Sequence, residues 1–165
     1  MSLVTTVSGN ELAYSDGSSG KVYVVDTADV HHDKNCYDVF DISDKDLPPI
    51  DTTKFYTDDY MMPYWKVVCR NIEDIRLTPH FLYCIVAYGN FYEQRGHACE
   101  ASFVRINRKT GRREEWAFPK GYGKYTMFAR GLRTTANDDV FPFSILKKEG
   151  KAFLRTFYPY SPKIK

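Results

Sequence analysis

Short apolar runs with a two-residue period recur along the chain, ended by Gly, Pro, Asn or Asp, and this pattern predicts strands. "GKVYVVDT" (20–27) follows the Gly/Ser loop "SDGSSG". "CYDVFDI" (36–42) alternates, with Tyr37, Val39 and Asp41 on one face and Asp38, Phe40 and Ile42 on the other. "YWKVVC" (64–69) reads as a further strand. "FLYCIVAY" (81–88) is apolar on both faces and too short for an amphipathic helix, which predicts a central, buried strand.

Two hairpins follow. "ASFVRIN" and "RREEWAF" flank "RKTG", where Gly111 can supply the positive φ of the turn, and "VFPFSILK" and "KAFLRTFY" flank "KEG" in the same manner. Phe141, Phe143 and Ile145 share one strand face, and Pro142, which has no N–H to give to a ladder, predicts that this strand lies at an edge. "NIEDIRL" (71–77) reads as one helical turn stopped by Pro79, and a short helix is expected around residues 125–132, weakened by Gly131. Residues 43–63 form a long, acidic, Pro-containing loop without a sustained period. The expectation is a single domain over residues 1–165, mainly β or β-dominated α+β. Its antiparallel sheets would form a sandwich or an open barrel, with one or two short helices.

Composition agrees with a globular β domain: 43% hydrophobic, 27% charged, and 16% aromatic with 13 Tyr and 11 Phe. The first residues lack a basic stretch followed by an apolar core, and no apolar run approaches the ~20 residues that span a bilayer. A soluble, intracellular (cytoplasmic) protein with no membrane partner is expected. The net charge of +2 hides an asymmetry. Residues 1–80 carry 7 Lys+Arg against 14 Asp+Glu, or −7, and residues 81–165 carry 16 against 7, or +9. A basic face able to attract phosphate follows if those cations gather, and the fields cancel if the halves intermix.

The four cysteines (Cys36, Cys69, Cys84, Cys99) are too few and too widely spaced for a disulfide scaffold. His32 stands four before Cys36, His80 four before Cys84 and His97 two before Cys99, the ligand types zinc prefers. An extended His80–Cys84 segment spans ~13 Å, too far for one ion, and no C-x2-C knuckle is present. No metal site and no cofactor are expected. "HHD" (31–33) pairs His with a carboxylate, a general-base arrangement. Asp139 followed by Glu149 and Lys151 resembles the restriction-endonuclease-like pattern, which implies acids on Mg²⁺ and a lysine beside the attacking water. No Walker loop, G-x-S-x-G or H-E-x-x-H occurs, so a non-enzymatic module is favoured.

The widest chemical signal is basic residues interleaved with aromatic ones in the second half. Cations neutralise phosphates and exposed rings stack on bases, so this pattern predicts a small nucleic-acid-binding module, most naturally for a single strand. Its expected footprint is Arg105, Arg108, Lys109, Arg112, Arg113, Lys120, Tyr122, Lys124, Tyr125, Arg130 and Arg133, with Trp116 as a further ring. "KGYG" (120–123) matches the opening of the RNA-recognition-motif signature, but Lys124 stands where the next aromatic belongs and Met127 at the eighth position, so the family is not assigned. The alternative is a protein-interaction or inhibitor module, such as a viral accessory protein, acting through the acidic first half and an acidic patch at Asp44, Asp46, Asp51, Asp58 and Asp59. A third reading, a hydrolase or nuclease, needs His31, His32 or His97 to meet carboxylates in a pocket.

Overall fold

The computed structural model describes residues 3–41, 53, 70–88, 100–117, 126–135, 137 and 139–157, apart from the side chains at 30, 32, 34, 88, 100 and 126–129. Three antiparallel sheets account for the elements among the described residues, with no helix among them. Sheet 1 contains β1 (Val4–Ser8), β2 (Glu11–Ser15), β3 (Lys21–Asp26) and β4 (Asp29–Asp38). Sheet 2 contains β5 (Asn71–Leu77), β6 (Phe81–Tyr88), β7 (Glu100–Asn107) and β8 (Arg113–Ala117). Sheet 3 contains β9 (Thr126–Thr134), β10 (Val140–Lys148) and β11 (Lys151–Thr156). Strand order follows chain order in each sheet, so every sheet is a meander.

Strand alternation divides the apolar residues of β6 between two cores. Leu82, Cys84 and Val86 pack with Ala13, Val22 and Val24 of sheet 1. Tyr83 and Ile85 pack with Phe103, Leu132 and Val140 on the side of sheet 3. Sheet 2 therefore lies between the other two, and each fully buried Ile, Leu or Phe there contributes ~1.5–3 kcal/mol. The first strands are neighbours: β1 lies against β5, and β5 against β9. Each meander thus starts beside the first strand of the sheet before it, so the three sheets succeed one another in the same sense. The sheets are not closed into a barrel.

The mainly β, antiparallel expectation holds, and so do the buried central strand at 81–88 and both hairpins. Gly111 and Gly150 take φ of 71° and 78° in the hairpin turns. Four local expectations are corrected. Residues 71–77 form a strand: a β-bulge at Glu73 puts Ile72, Ile75 and Leu77 on one face, so helix-like spacing serves a strand. Residues 126–134 are also a strand, where Gly131 lies under the Phe143 ring and an added Cβ would sit 2.9 Å from it. Pro142 is in the central strand of its sheet. It faces the side on which β11 ends at Thr156, where the Pro142 carbonyl accepts from Phe157, so its missing donor interrupts neither ladder.

The fourth correction concerns residues 29–42. The strand begins at Asp29, earlier than the expected start at Cys36, so it takes in the "HHD" run, and it ends at Asp38. Its polar residues suit an outer edge exposed to water. Beyond Asp38, the Gly20 carbonyl accepts from both Val39 and Phe40 (2.8 and 3.3 Å), and both side chains are buried. The loop 43–63 and the strand 64–69 lie outside the described residues, residue 53 excepted. No helix among the described residues is long and apolar enough to cross a membrane.

Candidate interaction surface

Of the cations expected to form one footprint, Arg105 and Arg113 lie on opposite faces of sheet 2, and Arg105, Arg108, Arg112, Arg113 and Arg130 are tied to carboxylates. Arg105 on β7 faces the sheet 3 side, donates to Glu114 at 2.6 and 2.8 Å, and stacks over Phe81 and Trp116 with its guanidinium carbon 4.9 and 5.4 Å from the ring centres. Arg112 pairs with the same Glu114 at 3.6 Å. Arg113 faces the sheet 1 side, donating to the Val39 carbonyl at 2.8 Å and to Glu115 at 2.7 Å. Arg130 on β9 pairs with Glu73 on β5. Lys109 and Arg133 are exposed, at the β7–β8 turn and on β9. Lys120, Tyr122, Lys124 and Tyr125 lie outside the described residues.

Arg108 shows what this wiring does. Its guanidinium donates to Glu11 on β2 (2.9 Å), to the Thr78 carbonyl (2.9 Å) and to the Tyr37 hydroxyl (3.5 Å). Burial works against its charge, yet the bonds to Glu11 and Tyr37 outweigh it and hold the group above the ordinary arginine pKa. Acids of the first half, Glu11 and Glu73, thus neutralise Arg108 and Arg130 of the second across sheet boundaries. The charge asymmetry of the sequence is spent in part on joining the sheets.

Catalytic groupings do not assemble among the described residues. No group of three His, Cys, Asp or Glu side chains there could hold a metal ion. His31 on β4 and His80 in the β5–β6 turn are exposed, and Cys84 is fully buried. Burial pushes the Cys84 thiol far above its usual pKa. Asp139 and Glu149 flank the nine-residue β10, hence ~30 Å apart, so they cannot share one ion. His97, Cys69, Cys99, the His32 side chain and the acidic patch from Asp44 to Asp59 lie outside the described residues and side chains. An open cleft of about 400 Å³ between the end of β4 and β8 contains Arg70 and Arg113. Both guanidiniums donate to main-chain carbonyls there, of Asp41 and Val39, so they fasten residues 39–41 to sheet 2.

The outer faces of sheets 1 and 3 mix buried, half-buried and exposed apolar side chains. Ala13, Val22 and Val24 point inward, so their strand partners place Thr5, Val7, Leu12, Tyr14 and Tyr23 outward. Leu3 and Val7 are 68% and 64% exposed. Tyr14 and Tyr23 stack at 5.4 Å, and the Tyr14 hydroxyl donates to Asp33 at 3.0 Å. Partial burial, then that bond, raises the Tyr14 hydroxyl above its ordinary pKa. On sheet 3, Leu132 and Val140 point inward; of the residues on the other face Phe141 is buried, Phe143 and Ile145 are half-buried, and Leu154 is exposed. Leu154 is 59% exposed, and Phe153, on the opposite side of β11, 43%.

Sequence reading missed these exposed residues, although "KAFLRTF" carries a signal: apolar Phe153 and Leu154 are consecutive, so a strand must turn one to each face. No protein-family model, no curated protein and no solved structure matches the chain.

Proposed function

We propose that this chain is a non-enzymatic protein-interaction scaffold whose end sheets are its docking faces. The observation that supports it is the exposure of Leu3 and Val7 on sheet 1 and of Leu154 on the outer face of sheet 3, while sheet 2 between them is covered on both faces. Large apolar side chains clustered on a sheet face mark an interaction site more often than scattered ones do. Of the earlier readings this is the protein-interaction one, moved from the acidic half to the end faces. The nucleic-acid reading draws little support from the described cations, because Arg105, Arg108, Arg112, Arg113 and Arg130 are paired with carboxylates.

Site-specific photo-cross-linking tests the proposal. A photoreactive amino acid at Val7 or Leu154 should give discrete protein adducts in cell extract, and one at the exposed turn residue Thr110 should not. Equal adducts at all three positions, or none at Val7 and Leu154, would overturn it. Titration of mixed single-stranded oligonucleotides checks the competing reading: it expects binding that weakens with salt at a slope of about −0.7 per phosphate neutralised.

A further inference from the structure

Within the molecule, sheet 2 receives sheet 1 on one face and sheet 3 on the other. The outer face of sheet 3 therefore corresponds, in the order of the stack, to the face of sheet 2 that sheet 3 covers. The outer face of sheet 1 corresponds to the face of sheet 2 that sheet 1 covers. Stacking sheet 1 of one molecule on sheet 3 of another would continue the succession already present inside the chain.

The two faces also differ in charge. Asp33 and Asp38 lie with Tyr14 and Tyr23 on sheet 1, where Lys21 pairs with Asp38 at 2.9 Å. The corresponding face of sheet 3 carries Arg133, opposite Phe141, and Lys147, beside Ile145 and Leu154. An acidic, tyrosine-bearing face thus matches a basic one bearing phenylalanine, isoleucine and leucine. Such complementarity favours this pairing over contact between two identical faces, which would oppose like charges.

We infer that the occupant is a second copy of this chain, with sheet 1 of each copy docked on sheet 3 of the other. This rests on the reading of the end faces as docking faces. A head-to-tail contact closes when its rotation completes a turn, and radial stacks of sheets close at roughly four to eight. Two copies of a three-sheet chain fall inside that range. The resulting ring has two identical interfaces and leaves neither end face open.

Sedimentation velocity of the full chain tests the inference. The wild-type chain should sediment at twice its 19.2 kDa mass at micromolar concentrations. Val7→Asp and Leu154→Asp each place a charge on one face at an exposed position, and each alone spoils both interfaces of the ring. Each should raise the dissociation constant about tenfold or more, with the wild-type circular dichroism retained. An equimolar mixture of the two variants should regain a dimer, because one interface then joins two unaltered faces. A wild-type chain that stays monomeric overturns the inference. So does a Leu154→Asp chain that dimerises unimpaired on its own, since that requires contact between two copies of sheet 1. Neither result touches the wider docking proposal, which the extract cross-links decide.

Discussion

Gly20 shows how a single residue lets the loop before β3 close against the chain that leaves β4. Its φ of +73° is costly for any residue with a Cβ, and an added Cβ would lie 2.2 Å from the Phe40 carbonyl oxygen. Gly20→Ala should destabilise the protein by about 2 kcal/mol or more, read as a lower urea midpoint. Arg108→Met removes the guanidinium that links Glu11, Thr78 and Tyr37 and leaves Glu11 largely buried without its cation. A loss of about 2–3 kcal/mol is expected, partly recovered when Glu11→Gln is added. In the same loop as Gly20, Asp16 accepts from the Ser19 and Ser18 N–H groups at 2.8 and 2.9 Å. The bond from Ser19, chiefly, holds its carboxyl below the ordinary value. The unfolded chain then binds the proton more readily. The contribution of Asp16 is therefore complete above pH ~4 and disappears as pH falls through the lowered folded value. Asp16→Asn should flatten the acid side of the stability profile. At this scale "SDGSSG" was legible as a turn, but the partners of Gly20 and Arg108 were not, because both contacts cross long stretches of sequence.

Strand periodicity was legible where it was uninterrupted. The hairpins and residues 81–88 follow a clean pleat, whereas residues 71–77 and 126–134 contain one-residue register shifts that disguise it. A bulge at Glu73 converts an i, i+3 spacing of isoleucines into a common strand face, so a pattern search without partners chooses a helix. Pro142 misled for a related reason: its strand is central, and only knowledge of where β11 stops shows that the missing N–H does no harm. The central position of β6 carries its own prediction. Cys84 is fully buried with a raised thiol pKa, and Cys36 is exposed on edge strand β4. Alkylation followed by mass spectrometry should modify Cys36 in the native protein and spare Cys84 until denaturant is added; native labelling of Cys84 would contradict the packing of sheet 2.

On the scale of the whole molecule, the charge asymmetry was visible in the sequence but its use was not. Opposite charges from the two halves meet at Glu11–Arg108 and Glu73–Arg130, which fasten sheet 1 to sheet 2 and sheet 2 to sheet 3. What the chain offers to others is then set by the sheets at the two ends of the stack. Whether Val7 and Leu154 sit over a core or over water depends on which sheets are neighbours, a property no local pattern carries. Carbene footprinting measures this directly, since photolysed diazirines label exposed apolar side chains. The chain alone, diluted to its monomer, should take label at Leu3, Val7, Phe153 and Leu154 and none at Phe103 or Ile85. Adding cell extract should suppress the signals at Leu3, Val7 and Leu154 and leave Thr110 unchanged. Label on Phe103 or Ile85 in the chain alone, or end-face signals that extract does not alter, would contradict the account.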